Sequence, residues 1–412
     1  MADLFNFCGK IALGRDSDKF HPIDRRKFNS GWENTTIRFN CISGTNRVTC
    51  MAQGGKWESD SKNVVRTLAK TITDENGNVI KGEVIEIPWA KRLDADQIYR
   101  VAGFRKFTCD TGDARVRYAL QNLITAFENG SATDEMMKAA GVDNLNDAKV
   151  ALEKSNAKKK VFLSEWDFAE HLAKVAQSDK FKNKLFYISG NYDVQYNADK
   201  DKFYTNYHVN RVILAPDDAE VKTEFKIDFY FGEGAWDDSV YDETGKVILN
   251  GWVGYYDSGL KKPGFKNIEI AVREDEKKMK AFKRKFNVEG DEIKCIGLTL
   301  SVIDGAERVE ITMDMLDEET REDIECGLLN FEDVKREMGG KAIGDRVSEL
   351  RFTELTPNKN NVQDTSYTIA DMHAAKAVAI EDVKENFVSV DDAEETNAEF
   401  DLFSGVDEDD DL

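Results

Sequence analysis

The chain has 412 residues, 41% of them hydrophobic and 10% aromatic, and a formal net charge of −21, so it is too long for one ordinary core and apolar enough to fold, which reads as two domains plus extras. It contains no run of about 18 apolar residues, and the opening MADLFNFCGKIALGRD lacks a basic n-region and a cleavage pattern, so the expectation is a soluble cytoplasmic protein with no membrane contact. The six cysteines, Cys8, Cys41, Cys50, Cys109, Cys295 and Cys326, form no CxxC pair and predict reduced thiols, several on core faces of strands, over a disulfide frame.

Taken in order, residues 5–13 predict a first strand, and the polar loop that follows delivers Arg25, Arg26 and Lys27. Residues 35–42 and 47–52 alternate as strands around the turn Ser43-Gly44-Thr45-Asn46, a hairpin signal. Period two puts Thr36, Arg38, Asn40 and Ile42 on one face and Ile37, Phe39 and Cys41 on the other. Arg47 opens the second strand, and Trp32 and Trp57 stand at the margins. Residues 64–72 and 79–87 flank Asn76-Gly77 and predict a projecting arm. Residues 97–109 read as a strand that carries Arg100, Arg105 and Lys106.

Residues 110–160 read as a helical insertion. Its main helix, 114–129, has Val116, Ala119, Leu120, Leu123, Ile124 and Phe127 at helical spacing, and the basic run Lys158, Lys159 and Lys160 is a solvated helix end. Ser164 caps a further helix over 164–176. Strands 184–196 and 202–214 close the unit, with Tyr187, Tyr192 and Tyr196 on the first and Lys202, Tyr204, Tyr207 and Arg211 on the second. This order predicts a mainly β fold with α insertions (α+β), in which residues 1–215 form an OB-type five-stranded barrel. Residues 216–357 repeat the scheme as a second OB-like domain, with strands 225–231, 246–256, 266–272, 292–303 and 347–355, a helix over 276–286 and a helical piece over 315–338. Residues 358–412 are a linker, a short helix over 368–383, and an acidic tail too polar and too charged to order itself.

The charge is unevenly spread. Residues 1–215 carry 33 Lys and Arg against 28 Asp and Glu, residues 216–380 carry 23 against 36, and residues 381–412 carry 1 against 14. A mildly basic front joined to an acidic end points to a nucleic-acid surface and a separate partner or self-inhibitory segment. Arg25, Arg26, Lys27, Arg38, Arg47, Arg105, Lys106 and Lys202 are the candidates for phosphate contacts. Trp32, Trp57, Tyr187, Tyr192, Tyr196, Tyr204 and Tyr207 are candidates for base stacking, foremost Tyr192 and Tyr196, with Asn40 as a polar contact on the face of Arg38. Phe39, Phe186 and Phe203 read as core.

Catalytic patterns are poor. His21, His171, His208 and His373 lie in different elements without a Ser or Cys motif, and no cofactor is expected. A barrel could bring Cys8, His21, Cys41 and Cys50 together as a zinc site, but they lack its paired spacing, so that site stays open and no metal is assigned. In the tail, Phe400 and Phe403 amid acids favour a docking motif over a plain solubilising extension. Two other classes stay open, a virion structural or assembly protein and an acidic mimic of DNA.

The stretches SGWENTTIRFNCISGTNRVTCMAQGG (30–55), KLFYISGNYDVQYNADKDKFYTNYHVNRVIL (184–214) and FDLFSGVDEDDDL (400–412) together resemble the replicative single-stranded-DNA-binding proteins of bacteriophages and bacteria. The resemblance covers the first half and the tail. It implies a non-catalytic protein that coats single-stranded DNA in replication or recombination, in the host cytoplasm if phage-encoded, with a homo-oligomer left open. It also implies that Phe400, Leu402, Phe403, Asp407, Asp409, Asp410, Asp411 and Leu412 dock replication partners and compete with DNA for the basic groove. The chain departs from many members by ending on Leu412 in place of an aromatic residue.

Overall fold

The computed structural model describes residues 4–17, 20–73, 79–197, 202–257, 262–308, 313, 316–338 and 343–372. Its first strands are β1 (Phe5–Leu13), β2 (Ile23–Lys27), β3 (Trp32–Ser43) and β4 (Asn46–Trp57). The β3–β4 hairpin keeps register from Trp32 opposite Trp57 to Ser43 opposite Asn46, with Gly44 at φ 63 in the turn, a left-handed conformation that glycine adopts without strain. Alternation decides its faces: Thr35, Ile37, Phe39 and Cys41 are buried on one side, with Val48, Cys50 and Ala52 facing them from β4. β2 falls in the stretch read as a loop. It is a charged edge strand that pairs with β3 from Ile23 opposite Ile37 to Lys27 opposite Glu33.

The arm is a shorter ladder than expected, β5 (Val64–Leu68) against β8 (Val84–Pro88), with the two-residue strands β6 (Ile72–Thr73) and β7 (Val79–Ile80) beyond it. Its Asn76-Gly77 turn lies outside the described residues. The strand expected over 97–109 is overturned in its first part. Residues Ala95–Arg100 form helix α1, Gly103–Arg105 make a 3-10 turn, and only Phe107–Asp110 is a strand, β9. Ile98 donates its amide to the Asp94 carbonyl, and Val101 leaves the helix in an extended conformation and bridges to Ala69 of the arm, so the apolar residues here are buried by the arm and not by a continuous sheet.

Helices α2 (Ala114–Glu128), α3 (Asp134–Ala140) and α4 (Leu145–Asn156) pack around Leu120, Leu123 and Ala148. They are inserted between β9 and β10 (Lys159–Phe162), which pair antiparallel. Lys159 and Lys160 therefore lie on a strand, a correction to their reading as a helix end. Helix α5 (Glu165–Gln177) begins at Ser164, whose hydroxyl accepts from the Asp167 amide, and buries Phe168, Ala169, Leu172, Ala173 and Val175. Strands β11 (Leu185–Asn197) and β12 (Lys202–Leu214) follow as a long hairpin.

The pairings close into a ring. β1 pairs antiparallel with β3, β3 with β4, β4 parallel with β12, β12 antiparallel with β11, and β11 antiparallel with β1. Along the chain helix α5 comes between β4 and β11, the third and fourth of these strands in sequence order. The second half has β13 (Lys222–Phe231), β14 (Trp236–Asp237), helix α6 (Tyr241–Thr244), β15 (Val247–Asp257), β16 (Lys262–Val272), helix α7 (Glu276–Phe286), β17 (Glu292–Arg308), helices α8 (Glu318–Glu325) and α9 (Phe331–Met338), β18 (Ile343–Leu355) and β19 (Gln363–Thr368). Its ring has the same connectivity: β13 to β15 to β16, then β16 parallel to β18, β18 to β17, and β17 back to β13, with α7 in the position of α5.

β1 and β13 also pair with each other, Phe5 opposite Phe225 and Cys8 opposite Lys222. The whole is a mostly β molecule whose main sheet is mixed and continuous across Pro216. One hydrophobic cluster runs from Phe5, Phe7, Phe39 and Phe186 in the first ring to Phe229, Phe231, Ile270 and Leu298 in the second. β19 lies in the stretch read as a linker and takes Thr368, residues 369–372 are helical, and the rest of the helix expected over 368–383 lies outside the described residues. The tail candidates Phe400, Leu402, Phe403, Asp407, Asp409, Asp410, Asp411 and Leu412 lie outside the described residues.

Candidate nucleic-acid interface

The first ring has a core side and an outer side, and the outer side of β2, β3, β4 and β12 is polar. Arg38 stands opposite Met51, Asn40 opposite Thr49, Thr36 opposite Gln53, and Ile42 opposite Arg47. The parallel register of Tyr207 with Cys50 and His208 with Met51 adds His208 to this side, because Tyr207 and Cys50 are both buried. Asp24, Arg26, Phe28, Asn34, Thr36, Arg38 and Gln53 line an open concavity of about 170 Å³. Two glycines on β4 allow the strand to be covered closely. A Cβ on Gly54 would come within 2.2 Å of the Trp166 amide nitrogen of α5, and one on Gly55 within 2.1 Å of the Trp32 ring.

The candidate cations separate by their partners. Arg25 points to the core side and makes two hydrogen bonds to Glu170 of α5, at 2.7 and 3.0 Å, while the Thr35 hydroxyl donates to the same carboxylate at 2.7 Å. The Arg25 hydrogen bond holds the Glu170 carboxyl below the ordinary range. Lys27 donates to Glu58 at 2.6 Å and lies 3.5 Å from Glu33. The Glu58 hydrogen bond raises the Lys27 ammonium above its ordinary value. Arg25 and Lys27 are thus straps that tie β2 to its neighbours, and the three adjacent cations expected to act together do not share a face. Arg26 lies on the outer side, 2.7 Å from Asp24. Arg38 and Arg47 have no carboxylate partner among the described residues.

The aromatics divide as well. Trp32 and Trp57 face each other across the hairpin, ring centres 5.1 Å apart and steeply inclined, with Lys62 over the Trp57 ring at 5.3 Å. Tyr192 and Tyr207 are corrections to the stacking candidates. Tyr207 is 6% exposed and packs edge-on against Phe5 and Phe7. Tyr192 contacts Tyr207 and Phe225, and its hydroxyl donates to the Lys226 carbonyl at 3.1 Å. Burial raises both phenols well above their ordinary value. Tyr196 has the same parity as Tyr192 and packs on Phe203 at 4.9 Å, and Phe203 reaches Tyr255 of the second ring at 5.4 Å. Tyr204 alternates with these, on the outer side opposite Gln195, and is 43% exposed. Lys202 is exposed at the start of β12.

Arg105 sits in the 3-10 turn with its guanidinium 5.4 Å from the centre of the Phe104 ring. Lys106 follows it in extended conformation just before β9. Neither lies on a ring strand, although β9 borders β12 in parallel, Thr108 beside Arg211. The sequence pattern did not single out an outer-side pair, His208 and Asp193, 2.7 Å apart. Burial acts to raise the Asp193 carboxyl, but the His208 hydrogen bond and charge, with Gln195 and Asn206, hold it below the ordinary range. Nothing in the sequence marked His208, because alternation with Tyr207 does not say which of the two turns inward.

The cysteines are core residues. Cys8, Cys41 and Cys50 are buried, and burial pushes the Cys41 thiol up to about 12. His21 is exposed and lies 2.7 Å from Asp16. Among the described residues no group of three or more His, Cys, Asp or Glu is placed to hold a metal. No helix among them is long and apolar enough to cross a membrane.

No protein-family model matches the chain, and no curated protein matches it by sequence. A search of solved structures found a likeness to a deletion mutant of the single-stranded DNA binding protein from Thermus aquaticus, with 10% identity and a TM-score of 0.26 over 73% of this chain and 89% of that one.

Proposed function

We propose that the chain is a non-catalytic protein that binds single-stranded DNA without sequence preference, and that its first ring acts as an OB-type barrel. The observation that carries this reading is the outer side of that ring, where Arg38 and Arg47, cations with no acid of their own among the described residues, stand among Asn40, Thr49 and Gln53 beside an open concavity. Free cations with neutral hydrogen-bonding groups suit a phosphate backbone, and a ring margin bearing Trp32 and Trp57 suits bases. The ring order with β4 parallel to β12, and a helix between the third and fourth strands, supports the OB-type reading.

The finer proposal is a phage protein that coats strands during replication or recombination in the host cytoplasm. In it the tail at 400–412 recruits partner proteins and competes with DNA for the first ring. The experiment is a fluorescence titration with oligo-dT. Saturable binding that weakens steeply with salt is expected, and removal of residues 381–412 raises the affinity. Binding that ignores salt, or a preference for duplex, overturns the reading.

A further inference from the structure

The outer side of the first ring does not end at β12. β9 continues it in parallel, with Thr108 beside Arg211 and Cys109 beside Val212, and β10 continues it antiparallel, with Val161 opposite Thr108 and Lys159 opposite Asp110. Cys109 and Val212 are both 0% exposed, so the residues alternating with them, Thr108 and Arg211, belong to the outer side. Period two then assigns Lys106 and Lys159 to that side too. The arm arrives at the same place. The Lys70 amide donates to the Arg100 carbonyl at 2.8 Å, and the Ala102 amide to the Leu68 carbonyl at 2.9 Å, which stitches the end of β5 to the segment leading into Lys106. The Lys70 ammonium lies 3.3 Å from the centre of the Tyr99 ring, and Tyr99 is 72% exposed.

Three other cations are neutralised by acids. Arg66 is paired with Glu86, Arg92 with Asp167, and Arg117 with Asp110. Lys70, Lys106 and Lys159 have no such partner among the described residues. Lys106 holds its proton less tightly than an ordinary lysine because it is partly buried and because Lys70 and Lys159 repel it. Like charges that crowd one another with no ion pair of their own among the described residues, the Asp110 carboxylate opposite Lys159 being held by Arg117, leave room for an anionic partner from outside even in a chain of net charge −21. An exposed ring that carries a cation on its face offers a base the same face, and a stacked base is the stronger of the two contacts.

We propose that Lys70, Lys106 and Lys159 hold successive phosphates of a single strand as it leaves the ring, with Tyr99 stacking one of its bases, so that the arm and the β9–β10 stalk lengthen the binding track. This rests on the proposed function of the ring and adds a second stretch to the same site. The test compares the full chain with the variant Lys70→Ala/Lys106→Ala/Lys159→Ala, in titrations with oligo-dT of increasing length across a salt series, circular dichroism checking the fold. Short oligonucleotides that fill only the ring should bind both proteins equally. Long ones should lose their added affinity in the variant, and the slope of log affinity against log salt should fall by about 2, at about 0.7 for each phosphate that no longer meets a lysine. Tyr99→Ala should weaken long oligonucleotides alone and leave the slope unchanged. A triple variant with wild-type length and salt dependence, measured on a wild type that binds, overturns the track and leaves the ring reading standing. A wild type that binds no strand at all overturns both.

Discussion

The arginines of the first ring fall into two groups with opposite expected phenotypes. Arg38 and Arg47 are cations without acids among the described residues, on the outer side, whereas Arg25 is spent on Glu170 behind the sheet. Replacing both Arg38 and Arg47 by alanine should leave two phosphates without a cation and flatten the salt dependence by about 1.4, at about 0.7 per phosphate on a single strand. Over a rise from about 50 to 200 mM salt, about 0.6 of a decade, wild-type affinity should then fall about sevenfold further than that of the double variant. Arg25→Ala should leave the slope where it is. It strips two hydrogen bonds from a carboxylate whose side chain is only 19% exposed, so its cost appears in folding, about 1–3 kcal/mol. Salt-series titrations with oligo-dT and urea unfolding separate the two. If Arg25→Ala flattens the slope as much as the double variant does, the assignment of these arginines is wrong.

Gly54→Ala should destabilise by about 1–3 kcal/mol, towards the upper end because the atoms met are the Trp166 and Glu165 backbone, while Gly103→Ala, which meets nothing within 4 Å, should be near neutral; equal urea midpoints for the two would refute the close approach of α5. The Glu170 carboxyl is held below its ordinary value of 4.5 by Arg25, so it stays charged in the folded protein where the unfolded chain takes up a proton. Its contribution is therefore present above that value and lost as pH falls through the range beneath it; Glu170→Gln should flatten this acid limb of the urea midpoints, and an unchanged limb would refute the pairing. Cys326 is exposed whereas Cys8, Cys41, Cys50 and Cys109 are buried, with the Cys41 and Cys109 thiols pushed up to about 12. Alkylation of the native protein at mildly alkaline pH should therefore label Cys326 first, and early label on Cys41 or Cys50 by mass spectrometry would contradict the core.

The hairpin over residues 35–52 was legible because one face of each strand is wholly apolar or small and the other is not, so period two leaves a single choice. The second ring was legible for the same reason: its strands were expected within a few residues of where they lie. Charged edge strands were not. IDRRK in β2 and KKVF in β10 have the composition of loops, and their order comes from pairing with β3 and β9. Arg25 looked available because its partner, Glu170, is 145 positions away. Tyr192 and Tyr196 share a face by alternation, but alternation alone does not say which face turns inward. Burial of Tyr207 opposite Tyr192 settles it. The segment 97–109 misled because its apolar residues are enclosed by the arm, a contact with no local periodic signature.

The antiparallel join of β1 to β13 has the character of a two-fold contact: each opening strand lends part of an edge to the other while keeping its two neighbours in its own ring. The chain is in effect a dimer made covalent, its protomers sharing main-chain hydrogen bonds that the connecting peptide does not supply. A proteolytic nick within 216–221 should therefore yield two fragments that stay associated until denatured, melting together as one cooperative body.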